Sequence, residues 1–89
     1  MKKEMEYLED GSHAEITDLA LASTLQCLGF SIMALNKDPA EYPKVGFVFK
    51  KTKKLEETMG AFWKGSLMVE PKGFWNASRE LKSRIRIGN

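Results

Sequence analysis

The stretch ITDLALASTLQCLGF, residues 16–30, constrains the fold more than any other part of the chain. Leu21, Leu25 and Leu28 recur at i, i+4 and i+7, widened by Ala22, and so form the apolar face of a helix. Thr17 is placed to cap the N-terminus, and Asp18 complements the positive end of the helix dipole. Ile16 and Leu21 stand at the two positions of a hydrophobic staple. Gly29 can take the left-handed conformation that stops a helix, with Phe30 folding back onto the last turn. Immediately afterwards the apolar spacing changes from helical to alternating.

FSIMAL, residues 30–35, reads as a strand with Phe30, Ile32 and Ala34 on one face and Met33 and Leu35 on the other. NKDPAEYP follows as a turn-rich loop, and KVGFVFKK, residues 44–51, as a second strand burying Val45, Phe47 and Phe49. The two strands pair most simply as an antiparallel ribbon across the proline loop. Such a ribbon is marginal alone and needs helices, a third strand or a symmetry mate.

TKKLEETMGAFWKG, residues 52–65, is the second helix, with Thr52 as N-cap, Gly65 as terminator, and Leu55, Met59, Phe62 and Trp63 on one face. Gly60 inside it weakens the helix by about 1 kcal/mol relative to alanine, which close approach of another backbone would explain. SLMV, residues 66–69, is a third strand or a linker. The third helix begins at Pro71, with Glu70 as a poor cap and Val69 and Phe74 at staple spacing, and runs to about Ile85 before a frayed IGN end. The expected fold is therefore α+β: a small single domain in the order α-β-β-α-(β)-α, its two- or three-stranded antiparallel sheet packed by helices. Residues 1–15 read as a flexible acidic tail and 16–89 as the domain. The core is expected to centre on Leu21, Leu25, Leu28, Ile32, Val45, Phe47, Phe49, Leu55, Met59, Phe62, Phe74, Leu81 and Ile85.

These segments resemble a family of short uncharacterised bacterial and phage proteins. The shared pattern is T-D-L-x-L-A at residues 17–22, L-G-F at 28–30 and F-V-F at 47–49. It closes with V-x-P-x-x-F-x-N-A-x-R-E-L-K at 69–82. The sequence departs from it at Glu70, where aspartate is more usual, and at Ser78, where an aliphatic residue is commoner. The resemblance implies the α-β-β-α-α order and a bacterial or mobile-element setting, and it supplies no catalytic residues.

Composition narrows the chemistry. With 43% apolar and 29% charged residues and nine aromatics, wholesale disorder is excluded. A single cysteine, Cys27, and a single histidine, His13, leave no internal disulfide and no Cys/His zinc cluster. Cys27, inside the first helix, reads as a small hydrophobe. His13 stands in the tail, and Asp10, Glu15 and Asp18 around it read as solvated acids rather than a site. Asn76-Ala77-Ser78 matches a glycosylation sequon by chance, given its helical position. No nucleotide-binding glycine loop or nucleophile elbow occurs, so neither an enzyme, a metal nor a cofactor is expected. With neither a signal-like nor a membrane-length apolar run, a cytoplasmic location is expected.

Charge is asymmetric. Residues 1–43 hold three lysines against eight acids, a balance of −5, and residues 44–89 hold eleven bases against four acids, a balance of +7. On the third helix Trp75, Arg79, Lys82 and Arg86 share one face, beside the packing series Phe74, Ala77, Ser78, Leu81 and Ile85. That stripe reads either as a nucleic-acid contact, extended by Lys50, Lys51, Lys53 and Lys54, or as the solvated flank of a packed helix. The aromatic-rich stretch from Phe62 to Trp75 offers Trp63, Leu67, Met68 and Trp75 as an interface, with full burial in one monomer as the competing reading. The function expected is a non-enzymatic homodimer that contacts nucleic acid through the third helix. The alternative is a protein-interaction module with no nucleic-acid role.

Overall fold

Backbone pairing begins earlier than the hydrophobic pattern suggests. In the computed structural model, which describes residues 12–37 and 45–87, strand β1 runs over His13–Ile16. It is followed by α1 (Leu19–Cys27), β2 (Ile32–Lys37), β3 (Val45–Lys50), α2 (Lys53–Lys64) and α3 (Pro71–Ile87). The first two residues of the expected loop 36–43, Asn36 and Lys37, belong to β2; the rest of that loop, most of the expected tail and the last two residues lie outside the described residues. The sheet has the order β1-β3-β2, and both pairings are antiparallel.

The α+β architecture is as expected, but the third strand is not SLMV. Residues 66–70 form neither helix nor strand, and the edge beside β3 is taken by HAEI, from the segment read as tail. Its alternation is clear in retrospect: Ala14 and Ile16 are buried opposite Phe49 and Phe47, while His13 and Glu15 face the open side of the sheet.

β2 carries a register irregularity between Ile32 and Ala34. Ile32 pairs with Phe49 and Leu35 with Phe47, so both face the core although three positions separate them in sequence. An uninterrupted strand would put them on opposite faces; the extra residue resets the alternation and turns Met33 out to solvent.

Two helix ends differ from expectation in their caps. Asp18, not Thr17, caps α1, its Oδ1 accepting from Leu21 N at 2.9 Å. Glu70 caps α3 with both oxygens, accepting from Gly73 N at 2.6 Å and Lys72 N at 3.1 Å. Its longer side chain still satisfies two of the orphan N–H groups at the start of α3. Thr52 caps α2 as expected, accepting from Leu55 N at 3.0 Å. Helices α1 and α2 both stop at a left-handed glycine. Phe30 N donates to Leu25 O and Gly29 N to Gln26 O, while Ser66 N donates to Ala61 O and Gly65 N to Phe62 O. This is the paired hydrogen-bond pattern of the Schellman motif in each case.

Helix α1 is central rather than one-sided. Leu21, Ala22, Ser23, Thr24 and Leu25 are buried consecutively, because α1 packs along α3 while also touching α2 and β1. Leu28, expected in the core, sits past the last full turn at the C-cap and is exposed. Phe47, Phe49, Leu55 and Leu81 complete the core, with Ile32, Met59, Phe62 and Ile85 packed at its rim. At the contact of α1 with α3, a Cβ on Gly73 would lie 3.1 Å from Cys27 Sγ, so the half-buried thiol packs closely over this glycine. Gly60 has no atom within 4 Å of where a Cβ would stand, so close backbone approach does not explain it.

Candidate nucleic-acid interface

Helix α3 has room for a binding face because it rests chiefly on one neighbour, α1. Ala77, Ser78 and Leu81 are buried there, with Phe74 and Ile85 half-buried. Rotating about 100° per residue from this strip reaches a solvent flank on which Trp75, Arg79, Lys82 and Arg86 are all exposed. Trp75 and Arg86 are separated by about 16 Å of helix rise. Lys82 Nζ stands 5.9 Å from the centroid of the Trp75 ring, a cation–π arrangement that holds the side chains of the second and fourth turns together.

Arg79, Lys82 and Arg86 are in no ion pair among the described residues; the pair that forms is Lys51 Nζ to Glu56 Oε2 at 3.5 Å, on α2. The acid nearest the stripe in sequence, Glu80, is turned toward α1, where its Oε1 accepts from Gln26 Nε2 at 3.0 Å. A shallow hollow along the outer surface of α3 is lined by Asn76, Arg79, Glu80, Lys82, Ser83 and Arg86. The sequence marks Asn76 only as part of a chance sequon and does not mark Ser83 at all. Their seven-residue spacing, which puts them on one face beside Arg79 and Arg86, was the available signal.

Lys50 and Lys53 are exposed but belong to another part of the surface. Lys50 pairs with His13 at the end of β3, and Lys53 opens α2. Lys50 and Lys54 border an apolar groove with Phe30, Met33 and Phe49, rather than continuing the α3 stripe.

The four residues expected at a protein interface are divided too. Trp63 is 63% exposed, its ring packed edge-on against Phe62 at 4.9 Å, and Met68 is 88% exposed. Leu67 is half-buried, and Trp75 belongs to the stripe. Full burial of this stretch within one chain therefore does not hold. On the open face of the sheet, Glu15 lies across Gly46 and accepts from Asn36 Nδ2 at 3.2 and 3.0 Å, while Ser12 Oγ hydrogen-bonds His13 Nδ1 at 2.9 Å. Asp18 is committed to its cap. Among the described residues no three His, Cys, Asp or Glu side chains gather to hold a metal, and no helix is long and apolar enough to cross a membrane.

No curated protein and no solved structure matches the chain. A family model does: it spans residues 12–87, from just before β1 through the end of α3. By that match, which covers every described strand and helix, the chain belongs to the family described as a domain of unknown function, DUF5659.

Proposed function

We propose that this chain is a non-enzymatic protein that contacts nucleic acid through the exposed flank of α3, within the bacterial or phage setting its sequence resemblance implies. The observation that carries the reading is the grouping of Trp75, Arg79, Lys82 and Arg86 on one solvent flank, with the three cations outside any ion pair among the described residues. Cations held by a rigid helix can replace the counterions of a phosphate backbone, and an exposed indole adds a surface that apolar solvation alone does not explain. Glu80, which borders the same hollow, hydrogen-bonds Gln26 and forms no ion pair with Arg79 among the described residues.

The reading is tested by titrating labelled DNA into the protein at low and at physiological salt. Three phosphate-facing cations give a log–log salt slope of about −2 to −3. The double substitution Arg79→Glu with Lys82→Glu should abolish binding without lowering the melting temperature, because both side chains are exposed. Absence of binding at low salt would overturn the reading.

A second reading, a protein-interaction module with no nucleic-acid role, is favoured by the exposure of Trp63 and Met68. The same surface supports self-association into a homodimer, since large exposed apolar residues are typical of interfaces. Light scattering on the titrated sample separates the two: a dimer that dissociates in Trp63→Ser or Met68→Ser but does not bind DNA supports the second.

A further inference from the structure

We propose that the nucleic acid taken by the α3 flank is single-stranded, with Trp75 stacking on one base and Arg79, Lys82 and Arg86 following the backbone. This inference rests on the nucleic-acid reading above and specifies its ligand. Trp75 is 56% exposed, and its ring contact is with the Lys82 ammonium rather than with another aromatic. An indole in that position presents a face that accepts any unpaired base, and a base can take the place of the lysine. Lys82, displaced from the ring, stays one turn from Arg86 and within reach of a phosphate of the same strand.

The placement of the ring on the helix separates this from duplex recognition. A helix entering the major groove reads bases with its outermost residues. Helical geometry puts Asn76 and Ser83 at the middle of the outward crest of α3, whereas Trp75, Arg79, Lys82 and Arg86 lie together on the exposed flank between that crest and buried Ser78. In a duplex the base faces are already stacked on one another, so an indole at that flank has nothing to stack on. A single strand laid along the flank meets the ring first and one cation on each following turn, over about 16 Å.

The test compares a homopyrimidine single strand, as DNA and as RNA, with a duplex of the same length, by fluorescence anisotropy at one fixed salt concentration. The single strand is expected to bind about tenfold or more tightly than the duplex. Trp75→Leu should cost about tenfold in single-strand affinity with an unchanged salt slope, whereas Trp75→Phe, which keeps a stacking face, should stay close to the parent. Circular dichroism verifies the fold of each variant, and Trp63→Phe serves as the control at the other exposed indole. The DNA and RNA arms distinguish which backbone is preferred. Duplex binding as tight as single-strand binding, or an unaffected Trp75→Leu, overturns this inference and leaves the nucleic-acid reading standing. Binding to none of the three probes overturns that reading itself.

Discussion

Lys37 donates from Nζ to the carbonyl oxygen of Ile85 at 2.9 Å, tying the edge strand β2 to the last turns of α3. The contact explains a charge at a position whose strand partner is the buried Val45. The aliphatic stem covers apolar surface, and the ammonium satisfies a carbonyl that the end of a helix leaves without an intrahelical donor. It also places a positive charge at the negative end of the helix dipole. Lys37→Met should therefore lower stability by about 1 kcal/mol in a urea titration, a modest figure because the site is half-buried. Amide exchange should quicken in the last two turns of α3 before it does elsewhere.

Gly46 and Glu15 are coupled across β3 and β1. A Cβ on Gly46 would collide with the Glu15 carboxylate, which lies over the glycine and accepts from Asn36. Gly46→Ala alone should be destabilising by about 1 kcal/mol, since the carboxylate must swing off Asn36. In a Glu15→Ala background the same substitution should become stabilising by about 0.5–1 kcal/mol, because glycine is a poor strand residue and its loss restricts the unfolded chain. A double-mutant cycle by thermal melting reads the change of sign.

Ser23 is fully buried in α1, and its hydroxyl has no hydrogen-bond partner among the described residues. Removing an unsatisfied buried polar atom relieves its desolvation cost, and alanine is the better helix former. Ser23→Ala should raise stability by about 1 kcal/mol. Thr24→Ala is the contrasting case, since Thr24 is buried and its Oγ1 donates to Ala20 O at 2.8 Å. It should lower stability.

The two glycines of the α2 region should respond oppositely to alanine. Gly60 lies within the helix with open space where a Cβ would stand, so Gly60→Ala should stabilise by about 0.5–1 kcal/mol. Gly65 ends the helix at φ +76°, so Gly65→Ala should destabilise by about 1 kcal/mol. Paired chemical melts of the two variants check the signs.

How much of this was legible in the sequence depended on whether the signal was local. The glycine stops at Gly29 and Gly65, the Thr52 cap and the alternation in β3 follow from nearest neighbours, and each stands where the residues indicate. HAEI was not legible as a strand, because four residues carry little pattern and its reason to pair is Phe47 and Phe49, distant in sequence. The bulge that turns Ile32 and Leu35 to the same side is likewise a pairing property, invisible along β2 alone. Leu28 and Trp63 fit their helical faces by spacing, yet each falls at the end of its own helix and is exposed. For the site, spacing was enough to group Trp75, Arg79, Lys82 and Arg86. Assigning Lys50 to the same surface required knowing that α3 packs along α1 while Lys50 faces the open side of the sheet.

The most direct test of the account is a two-dimensional amide spectrum of the labelled protein, titrated with a single-stranded and with a duplex oligonucleotide at low salt. The account predicts that shift changes gather on residues 72–86 and on the Trp75 indole N–H, with β1, β2 and β3 unmoved. Changes confined to the Trp63–Met68 surface or to the open face of the sheet, or no change with either oligonucleotide, would contradict it.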